Sequence, residues 1–552
     1  MSLGKIDSSS LNSRGEMRFN SEASGSATAD ARGLTVPGTR DGSGGIMPNV
    51  RRGWGWALAG VGLLSVITGV GSGDDQQRAS SNPHYHLEEI PVVPQTEAGT
   101  TPPQRRTGED WPEFLGPRGT GISGETGLLP QWPTKGPPVL WKKKVGEGYA
   151  APSIRGDRLV FFHRIEDEER VDCFVPETGA EVWSYSYPTS FSDPYGYNGG
   201  PRCSPLLTEE HCFTYGAEGK LTCLDLATGK QIWRRDTQKD FRIPRGFFGV
   251  GSTPVLDGER LFVMVGGHPQ SGMVAFDRKT GKTLWENVGP ETFPNPPMRI
   301  ERDRPPAKLA SYSSPFLATI HGRKHLLCFM RPGLVSLDPQ SGEINFATWF
   351  RSPIHDSVNA ARPVVIGDRI FLSAAYETGA LMLKVQPDGK GADEVWKDLD
   401  AMQTHWSTTI EHHGFLYGFS GRHEPGSNLR CLRATDGELM WRTRDVNEDE
   451  EPDPKAGLGT SVPKFYGRGS AILADGRLIV MGERGTLALV DLNPEEFREL
   501  SRVRFPELGY PCWTAPVLSR KRLFITGARQ FRGLGGFTDY EYHLIALDLA
   551  AN

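Results

Sequence analysis

Cys223-Leu-Asp-Leu-Ala-Thr-Gly-Lys-Gln-Ile-Trp233 decides the fold, because its pattern returns as Ala275-Phe-Asp-Arg-Lys-Thr-Gly-Lys-Thr-Leu-Trp285. Each copy has a small residue, an Asp two positions later, Thr-Gly, three further residues and a Trp. An apolar strand ends at the Asp, Thr-Gly forms a turn that needs a positive φ, and a second strand carries the Trp. Looser copies span 173–183, 336–346 and 431–441. This recurrence indicates a repeat protein.

A second element precedes the copies and contains a small residue, a Pro, apolar residues, a turn with Gly and Asp, and an apolar strand. Examples are Ala151-Pro-Ser-Ile-Arg-Gly-Asp-Arg-Leu-Val-Phe-Phe162 and Thr253-Pro-Val-Leu-Asp-Gly-Glu-Arg-Leu-Phe-Val263. The two elements together make four short strands, which is the content of a propeller blade. Eight such units open near residues 151, 204, 252, 313, 361, 407, 469 and 514. The sequence therefore predicts an all-β, eight-bladed β-propeller of four-stranded antiparallel blades.

The last unit lacks its own fourth strand. It ends at Leu544-Ile-Ala-Leu-Asp-Leu549 with no Trp strand after it, whereas Val139-Leu-Trp-Lys-Lys-Lys-Val145 resembles the fourth strands of the other units. We expect this N-terminal strand to complete the last blade and close the ring, because closure removes an exposed sheet edge.

Composition narrows the function classes. Hydrophobic residues make up 37% of the 552 residues, and 66 Gly and 42 Pro favour many short strands joined by turns. A formal charge of −5 without a basic block argues against nucleic-acid binding. The seven cysteines form no C-x-x-C pair, and we predict small buried strand residues and no metal site. One disulfide among Cys203, Cys212 and Cys223 is the alternative.

The N-terminal region carries the targeting signal. Arg51 and Arg52 precede an uncharged stretch from Gly53 to Gly73 that ends in small residues, which is typical of a secretory signal. We divide the chain into 1–46, a disordered or mis-assigned extension; 47–73, a signal peptide or single-span anchor; 74–108, a disordered linker; and 109–552, the propeller. Both interpretations of 47–73 predict export to the periplasm or cell envelope, with membrane contact only through this N-terminal segment.

The loops that lead into the first strand of each blade converge on the axis of a propeller. Aligned on the Pro step, they place Tyr149, Arg202, Gly251, Tyr312, Ala360, Trp406, Arg468 and Trp513 at equivalent positions. With two neighbours added, the predicted ligand-binding residues of this axial mouth are Tyr149, Arg202, Tyr312, Arg362, His405, Trp406, Arg468 and Trp513. Such a ring suits a flat anionic cofactor, a sugar chain or an extended peptide. The alternative is that these large side chains only fill the funnel.

The repeat unit resembles that of PQQ-like (quinoprotein-type) β-propellers. This family includes quinoprotein alcohol dehydrogenases and the propeller subunit of the outer-membrane β-barrel assembly machinery. The opening Asp110-Trp-Pro-Glu-Phe-Leu-Gly-Pro-Arg-Gly-Thr-Gly121 is similar to the start of bacterial secreted members. The resemblance implies that each repeat Trp docks between neighbouring blades, and it does not imply bound PQQ.

The leading functional hypothesis is a non-catalytic binding or scaffold protein that engages a protein or polymer partner in the cell envelope through its axial mouth. The first alternative is a dehydrogenase that uses PQQ with Ca²⁺. No two cysteines are adjacent, and Asp356, Asn359 and Arg362, or Asp193 and Asn198, imitate only part of the Ca²⁺ and Asp-base set that the resemblance implies for such enzymes. The second alternative is a sensor propeller related to those fused to membrane kinases, although the sequence contains no kinase motif.

Overall fold

The computed structural model describes residues 106–551, except 245–247, 294–308, 355–356, 424–425, 445–465 and 533–537. In this part of the chain, eight four-stranded antiparallel sheets form the blades of a ring, so the predicted eight-bladed propeller is confirmed. The segments predicted at 1–46 and 47–73, and nearly all of the linker, lie outside the described residues.

The strands of each blade are called A to D in chain order, with A nearest the axis. Blade 1 contains β2 (Ser153–Arg155), β3 (Arg158–Ile165), β4 (Glu168–Phe174) and β5 (Glu181–Pro188). Blade 2 contains β6 (Leu206–Leu207), β7 (His211–Tyr215), β8 (Lys220–Asp225) and β9 (Gln231–Asp236). Blade 3 contains β10 (Val255–Asp257), β11 (Arg260–Met264), β12 (Met273–Asp277) and β13 (Thr283–Asn287). Blade 4 contains β14 (Phe316–Ile320), β15 (Arg323–Phe329), β16 (Gly333–Leu337) and β17 (Ile344–Trp349).

The second half of the ring repeats this plan. Blade 5 contains β18 (Val364–Ile366), β19 (Arg369–Ala374), β20 (Gly379–Val385) and β21 (Ala392–Asp398). Blade 6 contains β22 (Ile410–His412), β23 (Phe415–Ser420), β24 (Asn428–Arg433) and β25 (Leu439–Arg442). Blade 7 contains β26 (Ser470–Ala474), β27 (Arg477–Met481), β28 (Thr486–Asp491) and β29 (Glu499–Arg504). The A strands begin one to three residues after the positions at which the sequence places the eight units.

Blade 8 is built from both ends of the described chain. It contains β30 (Val517–Ser519), β31 (Arg522–Arg532) and β32 (Thr538–Asp548), and its fourth strand is β1 (Val139–Val145). β1 pairs antiparallel with β32, and Trp141 lies opposite Ala546.

Helical structure is sparse. α1 (Thr237–Phe241) follows β9, and a 3₁₀ turn spans Pro290–Thr292. Within the described residues, no helix is long and apolar enough to cross a membrane.

The repeat Trp joins each blade to the next one. Trp183 Nε1 donates a hydrogen bond to the Leu226 carbonyl oxygen over 2.9 Å, and Trp233 Nε1 donates to the Arg278 carbonyl oxygen over the same distance. The acceptor lies in each case in the turn between the C and D strands of the following blade. The same bond is made by Trp141, Trp285, Trp396 and Trp441 to the carbonyl oxygens of Pro176, Pro339, Ala434 and Asn493.

The Gly of the Thr-Gly pair is the second half of this contact. Gly229 has a φ of +71°, and a Cβ atom there would lie 2.5 Å from the Trp183 ring. Gly281 has a φ of +69°, and its Cβ would lie 2.7 Å from the Trp233 ring. The Gly therefore allows both the left-handed turn and the close approach of the indole ring from the preceding blade.

Blade 7 departs from the repeat, because Ser501 occupies the D-strand position that carries Trp in most blades. The N-terminal segment packs there instead. The Trp132 backbone N–H donates to Ser501 Oγ over 2.8 Å, and the buried Trp132 side chain belongs to the same hydrophobic cluster as Val503 and Leu549. The segment that precedes β1 therefore fills the junction between blades 7 and 8.

All seven cysteines are buried and unpaired. The alternative of a disulfide among Cys203, Cys212 and Cys223 is therefore wrong. These residues lie on or beside strands whose side chains fill the interior of a blade or the junction between blades, where a small apolar group packs without leaving a void.

Replacing Gly229 with Ala tests the contact between blades. Gly229→Ala strains the turn and forces a methyl group against the Trp183 ring, whereas Gly258→Ala strains a turn of similar φ (+59°) with no heavy atom within 4 Å of the new Cβ. We expect Gly258→Ala to lower the free energy of unfolding by about 1–2 kcal/mol. Gly229→Ala should lower it by a further ~1–3 kcal/mol, measured by chemical denaturation. Equal losses in the two variants would contradict the role given to the indole contact.

Candidate functional site

The loops that connect D strands to A strands and those that connect B to C strands lie on the same face of the ring, because the four strands of a blade alternate in direction. On this face they enclose a cavity of about 430 Å³ at the axis, which we call the cup. Its polar and aromatic lining residues are Tyr149, Asp193, Tyr195, Tyr197, Arg202, Phe248, Tyr312, Tyr376, His405, Trp406, Arg422, His423, Arg468 and Trp513.

Seven of the eight residues predicted for the axial mouth line the cup. They are Tyr149, Arg202, Tyr312, His405, Trp406, Arg468 and Trp513. Alignment on the Pro step finds six of them, and His405 is the neighbour of one. The step marks the point at which the chain leaves the loop on the mouth face and enters an A strand.

Arg362 lies outside the cup. Its side chain is buried and donates to the carbonyl oxygens of Pro315 (2.6 Å), Gly119 (2.9 Å) and Phe114 (3.2 Å). Ala360 holds the mouth position in this loop, so Arg362 is two residues further along, where its side chain turns toward the N-terminal segment. Burial lowers the pKa of Arg362 to about 10, and the guanidinium stays charged at neutral pH. This residue is a structural anchor for the segment.

The N-terminal segment closes the far end of the axis. Trp111 forms a bridge with Ile154 of blade 1, and the Leu473 N–H of blade 7 donates to the Gly121 carbonyl oxygen over 2.8 Å. Both partners lie on A strands, beyond the loops that form the mouth. Between these attachments the chain presents Phe114 and Leu115 to the cavity. The cup is therefore open on one face and floored by this segment on the other.

Aromatic rings form a connected wall around the cup. Trp513 packs against Trp406 with ring centroids 4.9 Å apart, against Tyr149 at 5.1 Å and against Tyr197 at 5.5 Å. On the other side Phe248 contacts Tyr312 at 5.4 Å. Aromatic contacts at these distances restrict the rings, so the wall is largely preformed.

Two buried ion pairs hold guanidinium groups in the wall. Arg202 contacts Asp193 over 2.8 Å, and Arg468 contacts Glu483 over 2.9 Å. The two carboxylate side chains are 2% and 0% exposed. Trp513 Nε1 also donates to Glu483 over 3.2 Å. Each carboxylate is thus paired with a neighbouring side chain of the wall.

Arg468 packs against both tryptophans of the wall. Its guanidinium carbon lies 4.9 Å from the centroid of the Trp406 ring and 5.3 Å from that of Trp513. A guanidinium group gains from the electron-rich faces of both rings, which adds cation–π attraction to the ion pair with Glu483.

Tyr376 and Arg422 extend the wall from two loops that connect B and C strands. Tyr376 has a φ of +62°, which is unusual for a residue that is not Gly, and its hydroxyl group lies 3.0 Å from His405 Nε2. The Arg422 guanidinium lies 4.3 Å from the centroid of the Tyr376 ring. Arg422, His423, Tyr376 and Glu483 were not predicted from the sequence. The signal that could have found them is the propeller topology itself, which puts B–C loops on the mouth face.

His405 is neutral in the folded chain. Burial and the positive charges of Arg468 and Arg422 lower its pKa to about 3. Its Nδ1 atom and the Nε1 atom of Trp406 are both buried without a hydrogen-bond partner among the described residues.

The cup does not supply the ligands that PQQ with Ca²⁺ needs. Asp193 is paired with Arg202, and Asn198 donates to the Tyr542 hydroxyl group over 3.3 Å. Asn359 is buried and donates to the Met330 carbonyl oxygen over 2.9 Å, while Asp356 lies outside the described residues. Over the described ranges, no group of three or more His, Cys, Asp or Glu side chains converges. Ca²⁺ requires several converging oxygen ligands, so the described residues do not fit this cofactor.

The pKa of His405 predicts how stability depends on pH. Between about pH 6.5 and pH 3 the unfolded chain binds a proton at this residue and the folded chain does not, so the wild type loses stability as the pH falls. The stability difference between wild type and His405→Gln should shift by about 2 kcal/mol against the wild type from pH 7 to pH 5. Chemical denaturation at both values measures it. A constant difference would show that His405 titrates normally.

Two alcohol dehydrogenases of known structure support the fold. A quinohemoprotein alcohol dehydrogenase from Comamonas testosteroni matches with 14% identity and a TM-score of 0.52, covering 80% of this chain and 81% of the other. The alcohol dehydrogenase ADHIIG from Pseudomonas putida HK5 matches with 10% identity and a TM-score of 0.53, covering 80% of each. BamB from Moraxella catarrhalis has 12% identity and a TM-score of 0.47, covering 74% and 97%. At such identities the likeness concerns the fold alone.

The sequence itself identifies the family. No curated protein matches the chain. The family model described as outer membrane protein assembly factor BamB matches residues 167–443, which is half of the chain and runs from the C strand of blade 1 to the end of blade 6. These residues include most of the Trp repeats that dock the blades. The chain therefore belongs to the PQQ-like repeat family that this BamB model describes.

Proposed function

We propose that this protein is an extracytoplasmic binding or scaffold protein that holds a protein or polymer partner in the cup. The observation that carries the proposal is the cup itself, a preformed cavity of about 430 Å³ in which seven residues from six of the eight loops that lead into A strands converge. Cavities of this size with aromatic walls and a few oriented polar groups are the usual form of a binding site. Membership of a family named for an outer-membrane assembly factor supports a partner in the envelope.

The charged groups of the cup support binding rather than catalysis. Asp193 and Glu483, the carboxylates in its wall, are each paired with an arginine, and His405 is held neutral. A general base needs a free group within reach of a proton on the substrate. The wall instead presents ring faces and N–H donors, which are groups that recognise a partner.

Export is supported by the sequence ahead of the propeller. Arg51 and Arg52 followed by the uncharged stretch 53–73 predict that the later residues lie on the far side of the inner membrane. We extend the proposal to a location in the periplasm or cell envelope, with any membrane contact made by this N-terminal segment.

Photo-crosslinking in cells tests the function. Tyr197 is 48% exposed at the cup, and Ile232 is 44% exposed on the outer wall of blade 2. With a photoreactive phenylalanine derivative at each position in turn, we expect a discrete adduct from position 197 and none of the same size from position 232. The readout is the mass of the adduct on a denaturing gel followed by identification of the attached molecule.

Removing the two tryptophans from the cup supplies the control. Trp406→Ala combined with Trp513→Ala in the chain that carries the crosslinker should reduce the adduct at least about fivefold, because each ring contributes roughly 1 kcal/mol or more of contact energy. Circular dichroism checks that the variant remains folded. An adduct that persists in the folded double variant would exclude the cup as the binding surface.

A further inference from the structure

We propose that the cup binds an aromatic ring that carries a carboxylate, entering end-on from the open face, with the carboxylate at Arg422 and the ring against the aromatic wall. This inference rests on the proposed function and assigns a ligand chemistry to it. The ring could belong to the last residue of a polypeptide or to a small molecule, and both share the recognised groups.

The floor determines how a ligand enters. Phe114 and Leu115 face the cavity, and the segment that carries them is tied to the propeller on both sides. The Leu207 N–H of blade 2 donates to the Pro112 carbonyl oxygen over 2.8 Å, and the Ser123 N–H donates to the Leu473 carbonyl oxygen over 2.8 Å. A polymer therefore cannot pass through the axis. A ligand enters as an end or a projecting group, and it meets apolar side chains at the bottom.

The charge of the cup determines the sign of the charge that its ligand should carry. Arg202 and Arg468 are neutralised by Asp193 and Glu483. Arg422 is exposed, and no carboxylate among the described residues lies within ion-pairing distance of it. The described residues of the cup thus carry an excess positive charge in a chain whose formal net charge is −5. A cationic ligand is repelled by this surface, and an uncharged sugar accepts hydrogen bonds from the guanidinium group without forming an ion pair with it.

The aromatic wall of the cup indicates that the anionic ligand should also carry an aromatic ring. An ion pair at an exposed arginine contributes only about 0.2–1 kcal/mol, so the carboxylate alone cannot hold a ligand. Tyr197 and Tyr195 are each about half exposed at the rim, and Phe248 lies 5.8 Å and 5.3 Å from them between ring centroids. A ligand ring that packs against the exposed surface of this cluster gains aromatic contacts.

The neutral state of His405 agrees with this charge distribution. Burial is the largest cause of its lowered pKa, and Arg468, Arg422 and His423 lower that pKa further, in agreement with a site that disfavours an additional positive charge. Tyr376, which lies between His405 and Arg422, stays protonated because burial raises its pKa. The groups that face the proposed carboxylate are thus a cation and neutral polar side chains.

Titration with matched probes tests the inference. The first pair is 3-phenylpropionate and 3-phenylpropionamide, and the second is a ten-residue peptide that ends in Phe as the free acid or as the amide. Binding to the purified full chain is followed by the indole N–H signals of Trp406 and Trp513 in NMR spectra. We expect the acid of at least one pair to bind about two- to fivefold more tightly than its amide.

Arg422→Gln should lower the affinity for the acid more than the affinity for the amide and so remove the difference between them. Arg498→Gln is the control, since Arg498 is 59% exposed in the C–D connection of blade 7, outside the cup. A preference for the free acid in the first pair supports a small-molecule source, and a preference confined to the peptide supports a chain end.

Equal affinities of acid and amide, or a preference that survives Arg422→Gln, would overturn the inference. No binding by any probe would also overturn it, while an adduct from position 197 that depends on the two tryptophans would leave the proposed function standing. If the adduct from position 197 persists in the folded double variant while the probes still bind to the unaltered chain, the proposed function is contradicted and the ligand chemistry is not.

Discussion

The contact between an indole ring of one blade and a glycine of the next is the interaction on which the rest of this structure depends. At Trp183 and Gly229, the indole N–H donates to a backbone carbonyl in the following blade while the ring covers a Gly that has no Cβ. Most copies of the repeat contain both a Trp and a Gly turn. Such a blade therefore presents its Trp to one neighbouring blade and its Gly turn to the other. Burying an indole stabilises the junction by several kcal/mol, and the repetition around the ring needs no ligand to explain it.

The docking of each blade against the next explains why the cup is preformed. Blades held at their outer strands keep their A strands in a circle, and the loops that enter those strands must meet at the axis. The N-terminal segment then makes two further contributions. Trp132 fills the junction where Ser501 replaces the repeat Trp, and Phe114 floors the cavity. One stretch of irregular chain therefore both completes the ring and determines from which side a partner reaches its centre.

The sequence predicted those features of the fold and of the site that recur from one repeat to the next. The eight blades and mouth residues such as Trp406 and Trp513 were found because the Pro step and the Thr-Gly turn, or looser forms of them, recur at corresponding places in most units. Tyr376 and Arg422 were missed because the loops between B and C strands share no such marker. Arg362 was placed in the mouth, yet it binds carbonyl oxygens of the N-terminal segment. The path of that segment follows from packing against several blades at once, and no periodic pattern records it.

Hydrogen–deuterium exchange on the chain with and without its crosslinked partner tests most directly whether the cup is the binding surface. Peptides that cover the entry to the A strands, around Tyr149, Trp406 and Trp513, should gain protection when the partner is bound. Peptides from the outer D strands, such as the one around Ile232, should be unchanged. Protection confined to the D strands, with unaltered exchange around the cup, would contradict this account and move the binding surface to the outer wall of the propeller.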